Sequence, residues 1–116
     1  MRREADVKKE IKKILAKHKA WSFMPVPAGY GVQGVPDFVV CHHGLFVGVE
    51  AKFGAGKQTA WQRKQEGGIN EAGGIYLLIN EDNLQVLDDT LAGLTALRQS
   101  SDPEALDEAP PNHQVW

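Results

Sequence analysis

The stretch from Gly34 to Phe53, GVPDFVVCHHGLFVGVEAKF, limits the possible folds of this chain more than any other. Asp37 to Cys41 and Leu45 to Lys52 are rich in valine and phenylalanine, which suit a pleated, half-buried surface. The HHG between them supplies Gly44, free to take a positive φ, so the pattern predicts an antiparallel hairpin inside a sheet. That hairpin also carries Asp37, Glu50 and Lys52, and ionisable groups among buried strands are costly to hold without partners. Because side chains alternate along a strand, Glu50 and Lys52 project to one face while Val49 and Ala51 project to the other. Asp37 begins the partner strand, about level with the end of the next, so the two carboxylates are expected to converge.

The rest of the chain supplies elements to cover such a sheet. Val7, Ile11, Ile14, Leu15 and His18 recur at helical spacing with lysines between them, predicting an amphipathic helix from Arg3 to about Lys19. Trp21 to Val26 reads as a short strand stopped by Pro27, and PAGYGVQG as a glycine-rich loop. Thr59 is a plausible N-cap for a helix to about Ala72, ended by Gly73 and Gly74 and with a weak point at Gly67 and Gly68. GIYLLIN supplies another buried strand, and the leucines from Leu84 to Leu97 predict a helix over Asp82 to about Arg98, capped by NEDN. Residues 1–99 therefore read as one α/β or α+β domain, a small sheet with helices on its faces. Residues 100–116, acidic and containing three of the six prolines, read as a flexible tail that contributes little to the core.

Composition narrows the setting. No apolar run approaches the ~20 residues needed to span a bilayer, and the charged start has no apolar signal segment, so an intracellular, cytoplasmic protein without membrane contact is expected. The single cysteine, Cys41, has no partner for a disulfide or a zinc site and reads as a small buried residue. The net charge of −2 hides an asymmetry: residues 1–64 hold twelve of the thirteen Lys and Arg. A basic half suits a polyanion, and a solvated helix face gives the same composition.

Two readings of the three charges follow from the residues alone. Converging Asp37 and Glu50 become comfortable around a divalent cation, and an all-oxygen set completed by a backbone carbonyl suits Mg²⁺ or Mn²⁺ better than zinc. Lys52 would then position an attacking water or offset phosphate charge. In the other reading Asp37 caps a strand, and Glu50 and Lys52 form a solvated edge pair.

The spacing of Pro36-Asp37 and Glu50-Ala51-Lys52 resembles the PD-(D/E)XK nuclease signature, and more of the chain resembles one branch of it, the VRR-NUC (virus-type replication-repair nuclease) domains. GVPD is similar to their metal-binding turn, GVEAK to their central strand, TAWQ at Thr59 to Gln62 to their TxxQ helix start, and EAGG at Glu71 to Gly74 to their helix end. EADVKKEI resembles their opening helix, in which a glutamate precedes the first apolar positions. The resemblance spans roughly Glu4 to Leu97 and departs from the pattern at Gly67 and Gly68. It implies a small mixed β-sheet flanked by helices, with a restriction-endonuclease-like core, and a metal-dependent enzyme hydrolysing DNA phosphodiesters. Asp37 and Glu50 would be metal ligands, Ala51 would add its carbonyl, Lys52 would be the catalytic base or water-positioning group, and Gln62 would support the site. Glu4, preferred to Glu10, would be the acid from the helix, and Lys57, Lys8 and Lys12 are the candidate DNA contacts. Free-standing domains of this kind resemble Holliday junction resolvases and work as homodimers, which implies branched DNA as the substrate and a role in DNA repair. A non-catalytic DNA-binding module with the same fold is the alternative. The residues about Trp21 and Phe23 and the glycine-rich loop are the candidate dimer interface.

Other signals carry less. FGAGKQT lacks the spacing and the Ser or Thr of a phosphate loop, since Ala51 and Gln58 stand where Gly and Ser or Thr are needed. His42 and His43 are read as turn residues, and Trp61, on a helix beside apolar partners, more as core than as a base-stacking group.

Overall fold

A computed structural model describes residues 1–26 and 31–100. Helix α1 (Glu4–Lys17) leads to strand β1 (Trp21–Phe23), the hairpin β2 (Phe38–His42) and β3 (Leu45–Ala51), helix α2 (Ala60–Glu71), strand β4 (Ile75–Ile79) and helix α3 (Leu84–Ser100). The four strands form one sheet in the order β1-β2-β3-β4. The β1/β2 and β2/β3 pairs are antiparallel, while β4 lies parallel to β3 after the crossover through α2. The sheet is mixed and flanked by helices, as expected. Part of the PAGYGVQG loop and all of the tail beyond Ser100 lie outside the described residues.

The two faces of the sheet are covered differently. Val7, Ile11 and Leu15 of α1 and Leu87 and Leu91 of α3 meet Phe38, Val40, Val47 and Val49 in one buried cluster. Alternation sends Gly48, Glu50 and Tyr76 to the other face, where α2 packs. A Cβ on Gly48 would come within 2.7 Å of the Pro36 ring and 3.2 Å of Ile69, so a glycine lets both close on the sheet. The strand pairing brings Phe38 opposite Val49, which sets Asp37 beside Glu50.

Element boundaries follow local chemistry. Lys19 takes a left-handed φ of 56°, which ends α1 before the expected Lys19. The hairpin turns at His43 (φ 52°) and Gly44 (φ 83°), the two positive values that match the twist of paired strands. His42 is not a turn residue: it ends β2, is buried, and pairs its Nε2 with Thr95 Oγ1 of α3 at 2.9 Å. Burial lowers its pKa by disfavouring the charged ring. Cys41, expected inside, is exposed, because its neighbours Val40 and His42 take the core-facing positions of β2. Strand β1 stops at Phe23 rather than Val26. The NEDN segment does order the entry to α3: Asn83 Oδ1 accepts from Asn80 N–H at 2.6 Å, and Asn80 Oδ1 accepts from Asp82 N–H at 2.8 Å.

Helix α2 runs unbroken through Gly67 and Gly68, and neither position has a neighbour within 4 Å of an added Cβ. The expected weak point is therefore a helix without local contacts rather than a break. Gly67→Ala should raise stability by about 0.5–1 kcal/mol by restricting the unfolded chain, read as a higher denaturation midpoint at unchanged slope. No helix among the described residues is long and apolar enough to cross a membrane.

Candidate functional site

Asp37 and Glu50 come together on the α2 face of the sheet. Asp37 Oδ2 accepts the backbone N–H of Ala51 at 2.8 Å, fixing the carboxylate against the end of β3. Glu50 is only 2% exposed although it is ionisable. Its Oε2 accepts from Gln62 Nε2 at 3.1 Å. Burial pushes its pKa up to about 8, and a hydrogen bond and repulsion from Asp37 add to that rise. Lys52 lies close enough to oppose the shift, and Glu4 close enough to reinforce it.

Gln62 reaches Glu50 because the start of α2 is firmly built. Thr59 Oγ1 accepts from Gln62 N–H at 3.1 Å while Gln62 Oε1 accepts from Thr59 N–H at 2.9 Å, a reciprocal cap. The Gln62 amide thus binds the cap through its oxygen and Glu50 through its nitrogen. Gly34, at φ 75°, nests against this turn: an added Cβ would fall 2.4 Å from the Trp61 carbonyl carbon and 2.6 Å from the Gln62 nitrogen. The loop before β2 is thereby locked to α2. Between them lies a cleft of about 220 Å³, lined by Gly34, Pro36, Asp37, Glu50 and Gln62 among others.

The first helix closes the cluster from the side. Lys8 Nζ stands 3.6 Å from both Glu4 Oε2 and Asp37 Oδ1. Lys8, a candidate DNA contact in the sequence, is placed among the acids. Lys12 is exposed on the same helix, beside β1, and Lys57 is exposed in the loop before α2. Among the described residues no group of three or more His, Cys, Asp or Glu side chains forms a metal-holding cluster. The structure thus brings Asp37, Glu50, Lys52, Gln62, Glu4 and Lys8 to one place and leaves Lys12 and Lys57 at its margins. Glu10, the other acid weighed for α1, pairs instead with Lys13 at 2.9 Å.

Four supporting residues, Tyr76, Gln58, Glu66 and Glu81, escaped the sequence reading. Tyr76, buried in β4, has its hydroxyl 3.2 Å from Gln58 Nε2, which also donates to Glu66 Oε1 at 3.1 Å. Burial raises the Tyr76 pKa to about 12, with the charges of Glu50, Glu66 and Asp37 adding to it, so this phenol stays protonated beside the carboxylates. The available signal was a tyrosine among aliphatic residues in a central strand, where a buried hydroxyl needs a partner. Glu81 binds the N–H of Gly54 through both oxygens, at 3.0 and 2.9 Å, and so ties down the turn after β3. The stem of Lys52 runs past Gly56 in that turn.

The fold is a known one. A solved structure described as a VRR_NUC domain matches this chain with a TM-score of 0.57 and 15% sequence identity, covering 88% of this chain and 100% of that one. No protein-family model matches the sequence, and comparison with curated proteins gives no significant match.

Proposed function

From a VRR-NUC fold with two carboxylates converging on one cleft, we propose that this protein is a Mg²⁺- or Mn²⁺-dependent endonuclease acting on branched or otherwise structured DNA. The observation that carries this reading is the placement of Glu50: a carboxyl almost wholly buried, held by Gln62 and set against Asp37, which can lose its proton there only at a cost that a cation between the two would remove. The donor set fits such an ion. Mg²⁺ takes one or two carboxylates and keeps several waters, so Asp37, Glu50 and the Ala51 carbonyl suffice, with Glu4 a nearby acid. Bound there, the ion would offset phosphate charge and acidify the attacking water.

The chain's own groups supply the rest. The Ala51 N–H and the Gln62 amide fix the two carboxylates before substrate arrives, which avoids reorganisation during reaction. Lys52, one step beyond β3, positions the attacking water and offsets charge on the phosphate. Hydrolysis adds the water oxygen to phosphorus and breaks the bond to the leaving oxygen; the attacking water gives one proton up to solvent, and the leaving oxygen takes one from it.

Labelled linear, flap and four-way DNA incubated with Mg²⁺ tests the proposal: wild type should cut, EDTA should stop it, and Lys52→Ala should lower turnover by about 10²–10⁴-fold while keeping metal binding. DNA binding without cleavage under any divalent ion would leave the non-catalytic module. A two-fold dimer is part of the same reading, supported by the edge strand β1, where exposed Trp21 and Phe23 form an edge-to-face pair at 5.6 Å. Light scattering should give a dimer mass for wild type and a monomer for Phe23→Lys; a monomeric wild type at micromolar concentration would remove the dimer.

A further inference from the structure

Trp61 is not in the core: it is 53% exposed on the first turn of α2. Its backbone is nonetheless among the most constrained, packed against Gly34 and inside the reciprocal cap. The next residue, Gln62, binds Glu50 in the cleft. One turn further on, Gln65 Nε2 donates to the carbonyl of Gln33, which also lines the cleft, at 3.1 Å. Trp61 and Gln65, four residues apart, share a helix face, so the indole rises on the side of the cleft-lining loop. Lys64 Nζ stands 5.4 Å from the centroid of the indole. Arg63 and Lys57 add positive charge, and the first turn of α2 contains no acid.

A rigidly mounted indole, left in water beside an ammonium and next to a carboxylate cleft, suits one occupant. Aromatic faces stack on any nucleobase, and a neighbouring cation meets its phosphate. We propose that Trp61 and Lys64 form a stacking platform for one unpaired nucleobase of a DNA strand entering the cleft. In continuous duplex every base face is already stacked, so the platform selects a single strand, flap or branch point and rejects intact duplex. This deepens the nuclease reading and rests on it for the identity of the cleft.

Fluorescence anisotropy in EDTA, where no strand is cut, separates the contributions. The probes are a short oligo-dT, the same backbone with abasic units in place of bases, and a duplex of equal length. Trp61→Ala should weaken oligo-dT binding by about 5- to 100-fold and leave the abasic strand and duplex unchanged. Trp61→Phe should restore most of the loss, which excludes misfolding as its cause. Lys64→Ala should weaken all three probes and flatten the salt dependence. Wild-type affinity of Trp61→Ala for oligo-dT, or an equal loss on the abasic strand, would overturn the platform. So would a change of mass in light scattering with DNA binding intact, which would assign Trp61 to a protein contact. Tighter binding of oligo-dT than of the abasic strand that depends on Trp61, in a protein that never cleaves, would sustain the platform and sink the nuclease reading.

Discussion

Glu50→Gln is expected to melt roughly 10 °C above wild type at pH 8 to 9 in the absence of metal, and to cut DNA at least ~10³-fold more slowly with Mg²⁺. The sign follows from linkage. The folded protein holds the Glu50 proton to about pH 8, whereas an ordinary glutamate releases it near 4.5. Between those values the folded state binds more protons, so this group's contribution to stability falls as pH rises from about 4.5 to 8, and levels off above. Glutamine cannot ionise, while its oxygen still accepts from Gln62 and its amide donates to Asp37. The two proteins should therefore melt alike near pH 4 and diverge by on the order of 2–4 kcal/mol above pH 8. Millimolar Mg²⁺ should raise the melting point of wild type and not of the variant. Parallel melting curves across the whole pH range would show that Glu50 is not held in this state.

Gly34→Ala is expected to be the most damaging single-methyl change, costing about 2–4 kcal/mol and lowering cleavage with it. Its φ of 75° already disfavours an L side chain, and the added Cβ would overlap the backbone of Trp61 and Gln62, which cannot swing aside as a side chain would. Relief requires the loop and the capped turn to separate, which moves Gln62 away from Glu50. Gly54 makes the control: its φ of 61° is similar, but nothing lies within 4 Å of an added Cβ, so Gly54→Ala should cost only about 1 kcal/mol. Chemical denaturation of the two variants side by side checks the difference, and equal costs would show that the backbone contact at Gly34 contributes nothing.

The sequence by itself determined the hairpin, the order of elements and the approach of Asp37 to Glu50, because these rest on local signals. Valine-rich alternation placed Glu50 and Lys52 on one face, His43-Gly44 set the turn, and Thr59 with Gln62 wrote the helix start. Tertiary structure alone decided how the residues work together. Lys8 joins the acids, His42 is drawn into the core by Thr95 and Trp61 is left in water, because each depends on which face of one element meets another. The same holds for the pKa of Glu50: a glutamate's charge is written in the chain, but its proton is kept by burial, by Asp37 across the hairpin and by low access to water, which exist only once sheet and helix have closed.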